Sequence, residues 1–248
     1  MKNRSLHLAG LLLLFVAALT SCQGGLGLTR IREIAAELSQ TAEAGFDNLA
    51  AARAGAASSK AAYASKVSVT QGETIDFHIS NRRSGAYEVK IWREGATRQL
   101  MDTVAGVRSD QYSCTNKYVT GCDWPVAFSY TIPTSWKSGV YTIDIPPASG
   151  APGKGIFWVR ERNPGQRSKV IFLSSVNTYQ AYNNYGGGSL YKFGGSVKVE
   201  KLSLDRPFAG GVGLYSRWES FFVNWLEREG YDVEFATTYD LDFDPNLL

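Results

Sequence analysis

The chain has 248 residues, with 26 Lys and Arg against 23 Asp and Glu and only two His. So even a balance gives no electrostatic case for nucleic acid as a partner or for adhesion to an anionic surface. The scarcity of His argues against His-rich zinc sites and leaves little for catalysis that needs an imidazole base.

The first element is a leader. "MKNRSLHLAGLLLLFVAALTSC" has a basic start, an apolar run from Leu8 to Leu19 and small residues before a Cys. The run is too short for a stable bilayer span, so it reads as a secretory signal, residues 1–21. Leu19-Thr20-Ser21-Cys22 resembles the bacterial lipobox, which predicts cleavage before Cys22 and lipidation of that residue. Gln23 supplies no inner-membrane retention signal. The expected location is therefore the cell envelope: lipid-anchored, in the outer membrane, facing the periplasm. Cleavage removes Lys2 and Arg4, leaving 24 basic residues against 23 acidic ones. Enough chain remains for two modest domains.

Residues 22–65 are rich in Ala, with Ile31, Ile34, Ala35 and Leu38 at helical spacing. Few large side chains are present to fill a core, so this segment is expected to be a helical spacer behind the lipidated Cys. From Lys66 the period switches to two: Val67 and Val69, then Ile75, Phe77 and Ile79, then Tyr87, Val89 and Ile91. "VAFSYTIP", "GVYTIDIP" and "GIFWVRE" continue the short alternating runs. These predict a β-sandwich of immunoglobulin-like size over residues 66–161. His78, beside Asp76 and Ser80 on the polar side of its strand, reads as a surface residue. Trp92, Trp124, Trp136 and Trp158 could serve carbohydrate binding, but read first as core. Export to an oxidising compartment makes Cys114 and Cys122 a disulfide closing a short loop.

After "RNPGQRS" the pattern changes to that of an α/β unit, residues 168–248. "KVIFLSS" is a continuous apolar run, as for a strand of a parallel sheet. Behind it comes a loop rich in phenols and Gly, "NTYQAYNNYGGGSLYKFGG", with Tyr179, Tyr182, Tyr185 and Tyr191. Ligand sites in such sheets lie outside the carboxyl ends of the strands, where this loop falls. "GGG" at 186–188 lacks the Lys and Ser/Thr of a phosphate cradle. Ser216 with Glu219 reads as a capping box, and Trp218, Phe221, Phe222, Trp225 and Leu226 form one apolar helical stripe. Gly230 closes that helix, and Tyr231, Val233 and Phe235 alternate as a further strand.

"KVIFLSSVNTYQAYNNYGGGSLY", "LSLDRPF" and "WLEREGYDVEFATTYDLDFDPNLL" resemble the catalytic domain of the N,N-dimethylformamidase large (beta) subunit family. "YASKVSVTQGETIDFHIS", "YEVKIWREG" and "SWKSGVYTIDI" resemble the domain that precedes it, so the likeness runs over most of residues 63–248. The resemblance implies an α/β core like that of the glutamine-amidotransferase class. It also implies hydrolysis of the C–N bond of small amides by a single iron held by two tyrosines and a glutamate. A hard ferric ion suits phenolate and carboxylate oxygens. By match to the family's "AYN", Tyr182 is the first ligand expected, with Tyr191 or Tyr215 as the second. A family segment like Gly-His-Asp-Glu-Tyr, which carries the glutamate ligand, is missing from this sequence. With Asp244 and Pro245 placed as a helix start, the chain reads as an interrupted member, inactive alone. The competing class is a binding or interaction lipoprotein of the envelope, using the sandwich and keeping a vestigial α/β part. The sequence says nothing of substrate identity or oligomeric state.

Overall fold

The computed structural model describes residues 60–247 apart from 84, 148–149, 193–195 and 245–246. All of these fall within one compact unit, Leu49–Leu248. The leader, Cys22, the spacer up to residue 59 and Pro245 lie outside the described residues. Among the described residues no helix is long and apolar enough to cross a membrane.

Eight strands come first: β1 (Lys60–Ala64), β2 (Ser68–Thr70), β3 (Thr74–Asn81), β4 (Tyr87–Glu94), β5 (Gln99–Val107), β6 (Val126–Thr131), β7 (Gly139–Ile145) and β8 (Gly153–Arg160). They form a three-stranded sheet in the order β1-β3-β6 and a five-stranded sheet in the order β2-β8-β7-β4-β5. All neighbours are antiparallel except β2 and β8, which run parallel.

The alternation in the sequence explains the core between these sheets. Ile75, Phe77 and Ile79 face inward from β3; Val89, Ile91, Tyr141, Ile143 and Phe157 meet them from β4, β7 and β8. Each large side chain withdrawn from water stabilises the fold by about 1.5–3 kcal/mol.

Two corrections apply here. β1 lies in the stretch expected to be a helical spacer. Its small residues Ala61 and Ala62 are buried against neighbouring strands, where low propensity is overridden by packing. β5 also lies outside the expected strands, because it is an exposed edge whose side chains do not alternate in burial.

The five-stranded sheet is covered on its other face too. Val140, Ile156 and Trp158 point away from the first core and pack with Val176, Tyr179, Phe208, Tyr215, Val223 and Phe235. This second core is why β7 and β8 are buried along almost their whole length. It joins the sheet to the following elements: β9 (Ile171–Ser174), helix α1 (Val176–Tyr182), a short pair β10 (Gly188–Ser189) and β11 (Val197–Lys198), helix α2 (Ser220–Arg228) and β12 (Glu234–Thr237). β9 and β12 pair in parallel, Phe172 opposite Phe235, as the apolar run of β9 predicts. Trp158 Nε1 donates to Ser174 Oγ at 2.8 Å, fastening the end of β9 to the sheet beneath it.

Candidate functional site

The stretch read as a flexible tyrosine loop begins as a helix. Val176 and Tyr179, spaced i and i+3, bury the inner face of α1 against Trp158 and Phe208. Tyr182 ends the helix on the outer side, 40% exposed. Its ring stacks on Tyr191 with centroids 4.7 Å apart and planes 19° from parallel. The structure thus brings Tyr182 and Tyr191 together at the surface. Tyr215, the third expected ligand, is elsewhere: 3% exposed, in the second core beside Tyr179.

What holds the segment in shape is a set of polar anchors. Asn183 Oδ1 accepts from the amides of Tyr185 and Ala209, at 3.1 and 3.0 Å, while its Nδ2 donates to the Pro207 carbonyl at 2.9 Å. Arg206 reaches under the same turn. The glycines at 186–188 serve close approach. Gly186 has φ +81°, a left-handed value that Gly adopts without strain, and a Cβ there would lie 2.7 Å from the Cys114 carbonyl. A Cβ on Gly188 would run into the Tyr118 ring.

The partner in this approach is the loop closed by the Cys114–Cys122 disulfide, which is present as expected. Asn116 N donates to Gly186 O at 2.9 Å, Cys122 N to Asp205 O at 2.8 Å and Ser203 N to Tyr118 O at 2.9 Å. The disulfide loop is therefore a brace for the tyrosine segment. Burial pushes the phenol of Tyr185, which meets Trp124 edge-on beside it, up to about 12.

A second group of oxygens lies deeper. Residues 215–219 wind as a π-helical turn before α2, and such turns gather at functional sites. The turn corrects the capping-box reading: Glu219 Oε1 accepts the amide of Ser175 at 2.8 Å, not that of Ser216. Ser175 is the residue after β9, so Glu219 reaches the carboxyl end of the parallel pair. The hydroxyls of Tyr179 and Tyr215 and Oε2 of Glu219 are all buried with no hydrogen-bond partner. Burial raises both phenol pKa values well above the usual; the charge and nearness of Glu219 add to this at Tyr179, and the charges of Glu94 and Glu227, more than that of Glu219, add to it at Tyr215. A buried hydroxyl left unpaired costs about 1–3 kcal/mol, and here two phenols and a carboxylate oxygen are left so together.

Among the described residues no group of three or more His, Cys, Asp or Glu could hold a metal ion. A metal here would have to draw on phenols, and these buried oxygens fit that demand: they are hard donors, and Tyr179, Tyr215 and Glu219 are close enough for their charges to interact. Of these three, only Tyr215 stands out in the sequence as a candidate ligand. Tyr179 falls in a stretch that reads as a loop, and Glu219 matches a local capping motif. Of the expected helical stripe only Leu226 is buried; Trp218 and Phe222 are half exposed, and Val223, outside the stripe, faces inward instead.

The other singled-out residues are structural in this fold. His78 is half-buried rather than surface-lying: its ring stacks on Tyr63 at 4.6 Å, and its Nδ1 donates to the Trp124 carbonyl at 2.6 Å. Trp124, Trp136 and Trp158 are buried, which withdraws them from any carbohydrate-binding surface. Trp92 is covered by the Arg98 guanidinium, 4.3 Å above its ring.

No curated protein matches the chain. One matching solved chain, from a structure described as "Structural basis of T cell specificity and activation by the bacterial superantigen toxic shock syndrome toxin-1", is 13% identical and spans 41% of this chain and 98% of its own. Its TM-score of 0.27 is too low to bear on fold or site. Residues 82–248 match the family described as "N,N-dimethylformamidase beta subunit-like, C-terminal". That match takes in β4 through β12, the braced tyrosine segment and the buried oxygens of the π-helical turn. The chain belongs to the N,N-dimethylformamidase beta subunit-like family.

Proposed function

We propose that this chain is an exported lipoprotein, anchored in the outer membrane through Cys22, that carries an iron site for hydrolysing the C–N bond of small amides. Its two bodies are read as an immunoglobulin-like sandwich (β1–β8) and an α/β layer (β9–β12 with α1 and α2). The observation that carries the reading is the trio of unpaired buried oxygens on Tyr179, Tyr215 and Glu219 at the carboxyl end of β9. Ligands of open α/β sheets sit at that end.

Iron held there by Tyr179, Tyr215 and Glu219 would supply a Lewis acid for an amide carbonyl. The residues do the rest. On becoming donors, Tyr179 and Tyr215 would each release the Oη proton to solvent, a change that their buried setting otherwise opposes. Glu219 cannot swing freely, because the Ser175 amide holds its Oε1 and leaves Oε2 for the site. Tyr182 and Tyr191 form an exposed aromatic pair at the end of α1, the helix that carries Tyr179.

The chain is thus proposed to bind iron through these three donors. Iron content and dimethylformamide turnover, measured for the wild type and for Tyr179→Phe, Tyr215→Phe and Glu219→Gln, test this. Iron and turnover that fall in all three variants support the reading; iron held undiminished in all three contradicts it.

A further inference from the structure

Among the described residues Arg206 is the largest charged side chain sealed inside the protein, 1% exposed, and it has no carboxylate partner there. Burial pulls its pKa down to about 10, so it remains a cation at neutral pH. What surrounds it are backbone carbonyls. Nη1 donates to Tyr185 O at 2.7 Å and Gly188 O at 3.1 Å, Nη2 to Asn183 O at 3.0 Å and Gln180 O at 3.5 Å, and Nε to Ser203 O at 3.1 Å.

A guanidinium has five N–H donors in a rigid planar fork, and each of them is used. Four of the five carbonyls belong to the two arms of the turn that carries Tyr182 into Tyr191. The arms also meet directly, Leu190 N donating to Ala181 O at 3.1 Å. Lysine offers three donors on a single nitrogen and cannot span both arms. An uncharged side chain would leave at least two inward carbonyls unpaired.

We infer that Arg206 is a positioning residue: its guanidinium sets the spacing of the two arms and so holds the Tyr182 and Tyr191 rings face to face. Its relevance to catalysis rests on the tyrosine segment lining the proposed site; its action on the ring pair does not. The cation also lies at the carboxyl end of α1, where the helix exposes unbonded carbonyls and favours positive charge.

The test is a cross-link that needs no iron. Photo-oxidation with a ruthenium sensitiser and persulfate couples tyrosines that lie ring to ring. Peptide mapping of the wild-type chain should show a Tyr182–Tyr191 dityrosine, absent from Tyr182→Phe. Arg206→Lys, still folded by far-ultraviolet circular dichroism, should fall to the level of Tyr182→Phe. An undiminished cross-link in folded Arg206→Lys overturns the inference.

If Arg206→Lys does not fold, nitrogen NMR of the wild-type chain decides instead. Separate, slowly exchanging Nη–H signals for Arg206 support the clamp; one averaged, freely exchanging signal overturns it. A cross-link lost in the variant of a protein that never binds iron upholds the positioning role and refutes only the metal reading.

Discussion

Glu219 Oε1 accepts the backbone N–H of Ser175 at 2.8 Å across 44 residues of sequence, tying the π-helical turn to the end of β9. This bond turns a carboxylate away from its own helix start and toward the phenols of Tyr179 and Tyr215. It also separates two roles that one substitution can test.

Replacing Glu219 by Gln keeps an oxygen for the Ser175 amide, whereas Ala removes it. Glu219→Ala should lose about 1–2 kcal/mol of stability, read by urea unfolding, while Glu219→Gln stays close to wild type. Both should lose iron affinity alike. Equal stability losses in the two variants would show that the bond to Ser175 is not what Glu219 contributes.

Alkaline stability should follow the buried phenols. The pKa values of Tyr141, Tyr179 and Tyr215 are raised above their unfolded value, chiefly by burial. The unfolded chain then releases these protons first, so their contribution is intact below about pH 10 and is lost as pH climbs from there. Unfolding midpoints measured between neutral pH and pH 11 should fall steeply above 10, and less steeply in Tyr179→Phe.

The disulfide should matter more to the tyrosine segment than to the fold. Closing so short a loop contributes about 2–3 kcal/mol in the chain-entropy model. Cys114→Ser with Cys122→Ser should cost about that much. Amide exchange should speed up at Asn116, which donates to Gly186, and at Leu190, while β7 and β8 stay protected. Uniform loss of protection would mean that the loop braces the whole unit rather than this segment.

Lipidation is tested by metabolic labelling with a fatty-acid probe. The expected outcome is label in the wild type and none in Cys22→Ala; equal labelling of both would remove the anchor from the account.

The strands were legible where one side of the chain is buried and the other wet. Ile75, Phe77 and Ile79 announce β3 by period alone, and "KVIFLSS" announces a parallel strand that does pair with β12. β1 was hidden by its alanines and β5 by an edge position that sets no burial rhythm. The site was less legible because its contacts are distant in sequence. Four of the five carbonyls that Arg206 serves lie 18 to 26 residues away, and Glu219 meets Ser175 instead of the nearby Ser216 that its motif names. Tyr179 carries the spacing of a core residue and is one; only its unpaired hydroxyl marks it as more.

The most direct measurement is a ferric titration of the chain followed by visible absorption. Phenolate bound to ferric iron absorbs in the visible, so the band reports the donors themselves. The account predicts a band that saturates with iron and disappears in either Tyr179→Phe or Tyr215→Phe. It should strengthen as pH rises, by about tenfold in affinity per pH unit for each proton released. It should persist in Tyr182→Phe and Tyr191→Phe. A band abolished by Tyr182→Phe but untouched by Tyr179→Phe and Tyr215→Phe would contradict the account and move the site to the exposed pair.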